Sequence, residues 1–517
     1  MQEAAISTEV ELKLAVETTD LAGIKGALSA LAPGSVTISR SLVSTYFDTS
    51  DRMLRRAGSI LRVRGQDGQF TQTLKTEDPE RTNLLARGEW EDPVYDNLPD
   101  ARAPQSGPHL PDGISAALRP VFVTEVDRAA IEIEPKPGTR IEAAIDQGMI
   151  RAADSGRAEP ISEVELELKE GDPAALYDLA LDLLETAPLR IDLRSKSERG
   201  YRLANGDVAE PSAVAAEAVV LAPEMTVEEA LQRVGGACLA HFLRNEPAAL
   251  AGEIEGVHQM RVAMRRLRSM LSAVKRMLPT AEHRWVSDEV GVLTGALGPA
   301  RNLDVFATEL LPPARDEAPG QPGWDELTAA AEGARAEAHR HVADEILSPL
   351  HTATTLRLLR WFEGRGWRRH QTDESDEALA AAIGKVAPAV LDRRRRSVRK
   401  RSRNFRQLPA RGRHRARIAV KKLRYAIELL DSLYDRRDVR PFIKRLKQVQ
   451  DELGHANDVR VAYSLVIELG RSATRVEPIA DAGAQMLARH ERALALNEKK
   501  LLRQLRRLNH ARPFWRD

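Results

Sequence analysis

Two segments in the front part of the chain alternate charged and apolar side chains. Glu9 to Lys13 has the sequence Glu-Val-Glu-Leu-Lys, and Glu163 to Lys169 nearly repeats it as Glu-Val-Glu-Leu-Glu-Leu-Lys. Successive side chains of a β-strand point to opposite faces, so each segment as a strand has one charged and one apolar face. The pattern predicts a sheet with a polar side and an apolar side.

The two parts of the chain differ in charge. Residues 1–210 contain 24 Lys and Arg against 37 Asp and Glu, whereas residues 211–517 contain 53 against 39. A basic domain of this size usually meets a polyanion, whether nucleic acid, phosphate polymer or anionic membrane. The single cysteine, Cys238, fits a reducing compartment, and neither a signal peptide nor a membrane span is predicted, so we expect a cytoplasmic protein.

The pattern of turns and apolar segments predicts an α+β multidomain protein. We predict that residues 1–205 form an eight-stranded antiparallel sheet, closed into a tunnel, with flanking helices near 20–31 and 173–187. The expected strands are 7–17, 37–48, 58–66, 69–76, 86–94, 120–134, 140–150 and 159–169, with a tight hairpin at Asp67-Gly68.

A linker is predicted at 206–225, followed by an all-α domain over 226–510. Thr226 and Glu229 have the spacing of a capping box, and helix breaks are expected at 311–323 and near 364–366, 409–412 and Gly454. His258 to Arg268 matches His414 to Arg424 at an offset of 156 residues, and Leu297-Gly298 matches Leu453-Gly454 at the same offset. The all-α domain is therefore predicted to be a duplicated helical bundle.

Charged residues of the predicted strands also fall on alternate positions. Arg62 and Arg64 share one face of their strand, and Thr73 and Lys75 share one face of the next. If these faces point into the tunnel, carboxylates and cations meet there, which suits a divalent metal and phosphate oxygens. The alternative is an ordinary antiparallel sheet with one solvated face.

Several motifs occur in an order typical of one family. Tyr46 to Thr49 is Tyr-Phe-Asp-Thr, Leu61 to Arg64 is Leu-Arg-Val-Arg, and Gln72 to Lys75 is Gln-Thr-Leu-Lys. With the opening Glu-Val-Glu-Leu-Lys, residues 1–205 resemble the CYTH family, also called triphosphate tunnel metalloenzymes.

The resemblance implies roles for individual residues. The implied metal ligands are Glu9, Glu11, Asp146, Glu163 and Glu165, with Glu167 a further member of that row. The implied phosphate-binding residues are Lys13, Arg62, Arg64, Lys75, Arg87, Arg128, Lys196 and Arg199, and the implied catalytic set is Glu9, Glu11, Lys13 and Asp146.

The implied activity is hydrolysis of inorganic triphosphate to pyrophosphate and phosphate with Mg²⁺ or Mn²⁺. Relatives with the same tunnel make cyclic AMP from ATP or cleave other organic triphosphates, so these reactions remain alternatives. A further alternative is a non-catalytic sensor that binds phosphates.

Two predicted helices of the all-α domain carry cationic stripes. At about 100° per residue, each stripe lies on one face and apolar residues lie on the other. The stripes are His258, Arg261, Arg265 and Arg268 on one helix and His414, Arg417, Lys421 and Arg424 on its copy. A solvated polar face is the alternative, but like charges at this spacing repel, so two stripes without an acid indicate a bound anion.

The stripes and their duplication resemble the CHAD domain over about residues 220–510. That resemblance implies binding of inorganic polyphosphate along a basic groove, and association with polyphosphate granules is a further hypothesis. Nucleic acid is disfavoured as a partner because aromatic residues make up only 4% of the chain and none is interleaved with the stripes.

Overall fold

The structure, a computed structural model, describes residues 7–76, 86–100, 114–206, 211–320, 322–370, 372–472 and 476–516, and the side chains of 7–9, 86–89, 115 and 472 are outside that set. The chain forms two compact units, Met1–Pro211 with Leu347–Gly366 and Ser212–Ile346 with Trp367–Asp517. Within the described ranges, no helix combines the length and the apolar character that crossing a membrane requires.

The first unit is built on one antiparallel sheet. Its strands are β1 Ser7–Val16, β2 Ile38–Asp48, β3 Ser59–Gln66, β4 Gln69–Thr76, β5 Ala86–Val94, β6 Arg119–Lys136, β7 Thr139–Ala152, β8 Ala158–Glu170 and β9 Leu189–Ile191. They follow the order β5-β4-β3-β2-β6-β7-β8-β1-β9, and β5 also pairs with β1. This second pairing closes β1 to β8 into a tunnel, so the predicted eight-stranded closed sheet is confirmed.

Two details of the sheet follow from local sequence. The hairpin between β3 and β4 turns at Asp67 and Gly68, whose φ angles of 50° and 79° suit a tight two-residue turn. The sequence prediction did not include β9, a three-residue strand that pairs with the end of β1. A strand this short has too few residues to show an alternating pattern.

The polar side of the sheet is its inner side. The helices of this part of the chain are α1 Leu21–Leu31, α2 Met53–Arg56, α3 Ala174–Leu184 and α4 Lys196–Asn205. Leu12 and Leu14 of β1 are fully buried on the side of the strand that contacts α3, whereas Glu11 and Lys13 line the tunnel interior. The apolar core therefore lies between the outer wall of the tunnel and its helices.

Helix α4 approaches the tunnel wall closely at a glycine. A Cβ atom added to Gly200 would lie 2.2 Å from ring atoms of Phe122 on β6. Phe122 is itself fixed by stacking on Tyr46, with 4.3 Å between ring centroids. Tyr201 of α4 donates a hydrogen bond to Asp48 over 3.0 Å, which holds the helix in place.

We expect Gly200→Ala to destabilise the docking of α4 by about 2 kcal/mol, because the added methyl group cannot fit without moving the Phe122 ring. Hydrogen exchange of the α4 amides measures this effect. Gly26→Ala in α1 is the matched control, since nothing lies within 4 Å of its added Cβ. Equal α4 exchange rates in the Gly200→Ala variant and the unmodified protein would contradict the close approach.

The rest of the chain is helical. Its helices are α5 Val227–Arg244, α6 Glu246–Leu250, α7 Ile254–Val274, α8 Thr280–Val292, α9 Leu297–Val305, α10 Leu311–Glu317, α11 Trp324–Leu347, α12 Pro349–Glu363, α13 Asp373–Ala380, α14 Ile383–Arg401, α15 Ala410–Leu430, α16 Arg436–Ser472 and α17 Val476–His510. A π-helical turn, Phe306–Leu310, joins α9 to α10, and short 3₁₀ turns lie between other elements. The all-α prediction is confirmed.

Local signals predicted some helix ends correctly and others wrongly. Thr226 and Glu229 form the predicted capping box at the start of α5. The break predicted near Gly454 is wrong, because Gly454 lies inside α16, where an added Cβ would meet nothing within 4 Å. The break predicted at 311–323 is shorter than expected, because Leu311–Glu317 form helix α10.

One helix from the middle of the helical sequence belongs to the first unit. Helix α12 packs on α3, where Arg360 forms a bidentate ion pair with Asp178. Thr352 donates a hydrogen bond to the backbone oxygen of Leu189 over 2.7 Å. The predicted boundaries at 205 and 226 remain predictions, and no sequence signal separated α12 from the surrounding helices.

Candidate functional site

The tunnel encloses a cavity of about 600 Å³ with a cationic wall on β2, β3 and β4. Arg64 donates from Nε to the Ser44 hydroxyl over 3.1 Å, and Arg62 lies opposite Thr73 across the β3–β4 pairing. Burial and the nearby Arg62 charge lower the pKa of Arg64 to about 10. The cations of this wall, which repel one another, are Arg40, Arg62, Arg64 and Lys75.

Strand register brings three acids together on the opposite wall. Asp146 on β7 lies opposite both Arg128 on β6 and Glu163 on β8. Directly opposed residues of antiparallel strands share one face. Each of Asp146, Glu163 and Glu165 offers a carboxylate oxygen, and these oxygens all lie within 4.8 Å of one another. We call these three residues the acid cluster.

The acid cluster is buried and neutralised by cations. The Nζ atom of Lys196 lies 2.6 Å from Asp146, 2.6 Å from Glu163 and 2.7 Å from Glu165. Arg128 donates two hydrogen bonds to Asp146, over 2.7 and 2.6 Å, and also pairs with Glu165. Because isolated buried carboxylates are strongly unfavourable, these contacts with cations offset the cost of burying the three acids.

The pKa shifts follow from this pairing. Burial alone would raise the pKa of Glu165, but the charges of Lys196, Lys13 and Arg128 hold it well below its ordinary value. Burial alone would lower the pKa of Lys196, but Glu165, Glu163 and Asp146 raise it. Glu165 is therefore ionised at neutral pH and contacts a charged Lys196.

The start of α4 places Lys196 in the cluster. Ser195 caps the helix by accepting a hydrogen bond from the Glu198 amide, while Glu198 accepts one from the Ser195 amide. This capping box fixes the first turn of the helix. Lys196, the first helical residue, consequently lies at the tunnel cavity and contacts the acids of β7 and β8.

The donor set of the acid cluster fits a hard divalent cation. Its potential ligands are all carboxylate oxygens, which Mg²⁺ and Mn²⁺ prefer. Glu163 Oε1 is buried, and the Lys196 ammonium lies 2.6 Å from it. A cation is therefore favoured at this oxygen.

The structure brings most of the predicted tunnel residues together. Glu11, Lys13, Arg62, Arg64, Lys75, Arg128, Asp146, Glu165 and Lys196 line the cavity, and Glu163 contacts Lys196 there. Glu167 also lines it. The side chains of Glu9 and Arg87 lie outside the described residues.

Arg199 is placed differently from the sequence expectation. Its guanidinium group donates to Glu159 over 2.7 Å, to Glu163 over 3.1 Å and to the backbone oxygen of Pro160. It is 8% exposed and is not among the residues that line the cavity. The geometry therefore supports a positioning role, in which Arg199 orients Glu163, rather than direct phosphate contact.

Sequence reasoning missed several cavity residues. Arg40, Ser44 and Tyr46 line the cavity from β2, and Ser195 and Ser197 line it beside Lys196. The alternation from Arg40 to Tyr46 along a predicted strand was an available signal for the β2 residues. No comparable signal marked the serines, because their position depends on where α4 begins.

The two cationic stripes lie on α7 and α15, which contact each other in the second unit. Arg265 of α7 lies over the ring of Tyr425 of α15, 5.8 Å from its centroid. Arg261 donates to the backbone oxygen of Leu297 over 2.9 Å, and Arg424 pairs with Glu428 over 2.7 Å. One stripe residue is thus partly neutralised within its own helix.

The remaining stripe cations act on one another. Burial and the Arg301 charge lower the pKa of His258 to about 4, so this histidine is neutral at pH 7. The pKa of His414 is also lowered, by burial and by Arg417 and Arg460. Arg301 and Arg460 were not predicted, since neither belongs to the matching segments.

The closed tunnel, with a cationic wall facing an acid cluster, places the first unit in the class of closed antiparallel β-tunnel domains. The CYTH domain family matches residues 7–201 and the CHAD domain family matches residues 233–466. The chain therefore carries a CYTH domain followed by a CHAD domain, and both predicted resemblances are confirmed.

The chain is also similar to individual proteins over parts of its length. An inorganic triphosphatase from Haemophilus influenzae is 34% identical over 167 residues, which cover 31% of this chain and only 46% of that protein. The CHAD domain from Ricinus communis is 28% identical with a TM-score of 0.49, covering 59% of this chain and 98% of that one. HpAC1 from Hippeastrum, with a dominant triphosphatase activity, is 18% identical with a TM-score of 0.27, covering 38% and 95%.

Proposed function

We propose that the first unit hydrolyses inorganic triphosphate to pyrophosphate and phosphate with Mg²⁺ or Mn²⁺. The observation that carries this proposal is the arrangement of the cavity, in which Arg62, Arg64 and Lys75 share the space with the acid cluster. Cations alone would bind a triphosphate without promoting its hydrolysis, and acids alone would repel it. The inorganic triphosphatase relative supports the same reaction.

The residues of the chain have separate tasks in the proposed reaction. Arg62, Arg64 and Lys75 hold the phosphate oxygens and stabilise the charge that develops on leaving pyrophosphate. The acid cluster, with Glu11, would hold the divalent ion, which supplies charge neutralisation and lowers the pKa of water. Glu11 lines the cavity and would accept the proton of the attacking water, whose oxygen replaces the bridging oxygen on the terminal phosphorus.

The lining favours an inorganic chain over a nucleotide. Among the described lining residues the only aromatic side chain is Tyr46, which is 4% exposed and stacked on Phe122. The apolar lining residues Leu42, Ile60 and Val126 offer no ring on which a base could stack. Formation of cyclic AMP and hydrolysis of other organic triphosphates remain the second candidate.

Phosphate release tests this proposal. We expect release from inorganic triphosphate with added Mg²⁺ or Mn²⁺, none with chelator, and slower release from ATP. Glu11→Gln should abolish turnover while leaving the fold intact. Faster product formation from ATP would support the second candidate, and binding of triphosphate without any turnover would indicate a sensor.

The second unit is proposed to bind inorganic polyphosphate at the paired stripes of α7 and α15. Like charges placed this close destabilise the free protein, and an anion removes that repulsion. Through this binding the protein would associate with polyphosphate granules in the cytoplasm. His258 and His414, neutral at pH 7, would take part by donating hydrogen bonds.

Polyphosphate binding should strengthen as the pH falls through about 7, because Lys421 has a pKa of about 7. Burial is the main cause, followed by the charges of Arg417 on its own helix and Arg265 on α7, while Asp458 on α16 opposes them. Lys421 is charged below this pH and neutral above it. Lys421→Arg should remove the pH dependence near 7, and an unchanged dependence in titrations from pH 6 to 8.5 would contradict this assignment.

A further inference from the structure

The duplicated helices α5 and α14 differ sharply in charge. Val227 and Ile383, their first residues, are separated by the same 156 residues as the stripes, and the preceding residues Thr226 and Ala382 form an antiparallel bridge. At this offset, Cys238 of α5 corresponds to Arg394 of α14. The segment Ala-Cys-Leu-Ala in one copy is therefore Arg-Arg-Arg-Arg in the other.

The helices that α5 and α14 contact, α7 and α15, differ in the exposure of a cation. Arg266 of α7 corresponds to Lys422 of α15. Arg266 is 8% exposed, whereas Lys422 is exposed. The second copy thus has an arginine in place of the apolar cysteine, and an exposed lysine in place of the buried arginine.

These cations belong to a patch separate from the stripes. We call it the α14 patch, and its residues are Lys275, Arg276, Arg394, Arg401 and Lys422. Arg394 donates to the Ser272 hydroxyl over 2.9 Å, which holds α14 against α7, while its buried Nε has no hydrogen-bond partner. Burial and the charges of Arg394, Arg401 and Lys275 lower the pKa of Lys422, which shows that these groups lie close together.

The α14 patch has no acid to balance it. In the described part of the chain, no ion pair involves any of its five residues, whereas Arg424 of the stripe pairs with Glu428. Solvated helix faces usually mix charges of both signs, because opposite charges three or four residues apart stabilise a helix. A one-signed patch in only one copy of a duplicated fold costs stability, and an anion that binds there would offset this cost.

We propose that the α14 patch is a second binding site for linear phosphate chains, which also contact the stripes when the chain is long enough. This inference rests on the proposed polyphosphate binding. Lys421 of the stripe and Lys422 of the patch are consecutive residues of α15, so one flexible chain can contact both groups. The patch consists of Lys and Arg alone and has no aromatic side chain for stacking bases, which favours a polyanion without bases over single-stranded nucleic acid.

Salt dependence of binding tests the proposal on the full chain. The probes are sodium polyphosphate of long and of short chain length, titrated at several salt concentrations against the unmodified protein and Arg394→Gln/Lys422→Gln. For long chains we expect weaker binding and a logarithmic salt slope smaller by about two, because each lost cation removes about one released counterion. For short chains, which the stripes alone can hold, we expect a smaller loss.

Two control variants make the result specific. Lys444→Gln/Lys447→Gln removes the same charge from exposed positions of α16 outside both cationic groups and should leave the slopes nearly unchanged. Arg261→Gln/Lys421→Gln tests the stripes independently. If the stripe variant loses binding and the patch variant does not, the second site is refuted while the proposed function stands.

The other outcomes are equally informative. If neither variant changes polyphosphate binding, the proposed function of the second unit fails as well. If the patch variant keeps its polyphosphate affinity but loses affinity for single-stranded nucleic acid or for anionic vesicles, the patch binds that partner and the proposal is overturned. Circular dichroism of each variant establishes that the helices are intact.

Discussion

Replacing Glu165 by glutamine is expected to lower the turnover of inorganic triphosphate by about 10²–10³-fold, the scale seen when one preorganised electrostatic group of a site is removed. Glu165 contacts Lys196 over 2.7 Å and Lys13 over 3.3 Å, and it also pairs with Arg128. The substitution leaves three cations around two acids. We therefore expect the affinity for Mg²⁺ or Mn²⁺ to fall together with turnover.

Glu170→Gln is the matched control for this substitution. Glu170 lies on the same strand, but its side chain is exposed, pairs with Arg140 and does not line the cavity. Phosphate release measures turnover, and calorimetric titration of the metal gives a second reading that does not depend on activity. If Glu165→Gln binds metal and turns over like the Glu170→Gln protein, the acid cluster is not the metal site.

The tunnel interior was largely predictable because alternation is a local property. Glu11 and Lys13 point inward and Leu12 points outward, as a period of two requires. The number of strands predicted a closed sheet, and the pairing of β5 with β1 confirms that closure. The order of the motifs then implied that Arg128 and Asp146 also belong to the site. These two residues lie opposite each other on β6 and β7, a pairing that no local sequence pattern indicates.

Other features depend on contacts between distant residues and were not predictable. The resemblance implied that Lys196 binds phosphate, but its contact with Asp146, 50 positions earlier, exists because α4 returns to the tunnel. Arg199 on the same helix was expected at the phosphates, yet its hydrogen bonds to Glu159 and Glu163 hold it outside the cavity lining. Helix α12 contacts Asp178 and Leu189 of the first unit, residues more than 160 positions earlier, so no local sequence pattern indicates this packing.

Lys196→Met is expected to lower the free energy of unfolding by about 3 kcal/mol in the presence of chelator, because buried carboxylates lose their shared partner. Lys196 is 13% exposed and its ammonium lies within 2.7 Å of all three acids of the cluster. The ammonium thus occupies the position at which a divalent ion would contact the same oxygens. Thermal unfolding in chelator measures the loss.

Added Mg²⁺ or Mn²⁺ should restore stability to Lys196→Met more than it stabilises the unmodified protein. A bound metal ion raises the free energy of unfolding in proportion to the logarithm of its concentration divided by its dissociation constant. The variant removes a cation that competes with the metal for the carboxylate oxygens. Lys136→Met is the control, since Lys136 is 56% exposed and pairs with Asp172 at 3.7 Å. Equal metal-induced shifts in melting temperature for all three proteins would mean that metal and ammonium do not share the cluster. A larger shift in Lys196→Met alone would mean that the divalent ion and the Lys196 ammonium compete for the same carboxylate oxygens.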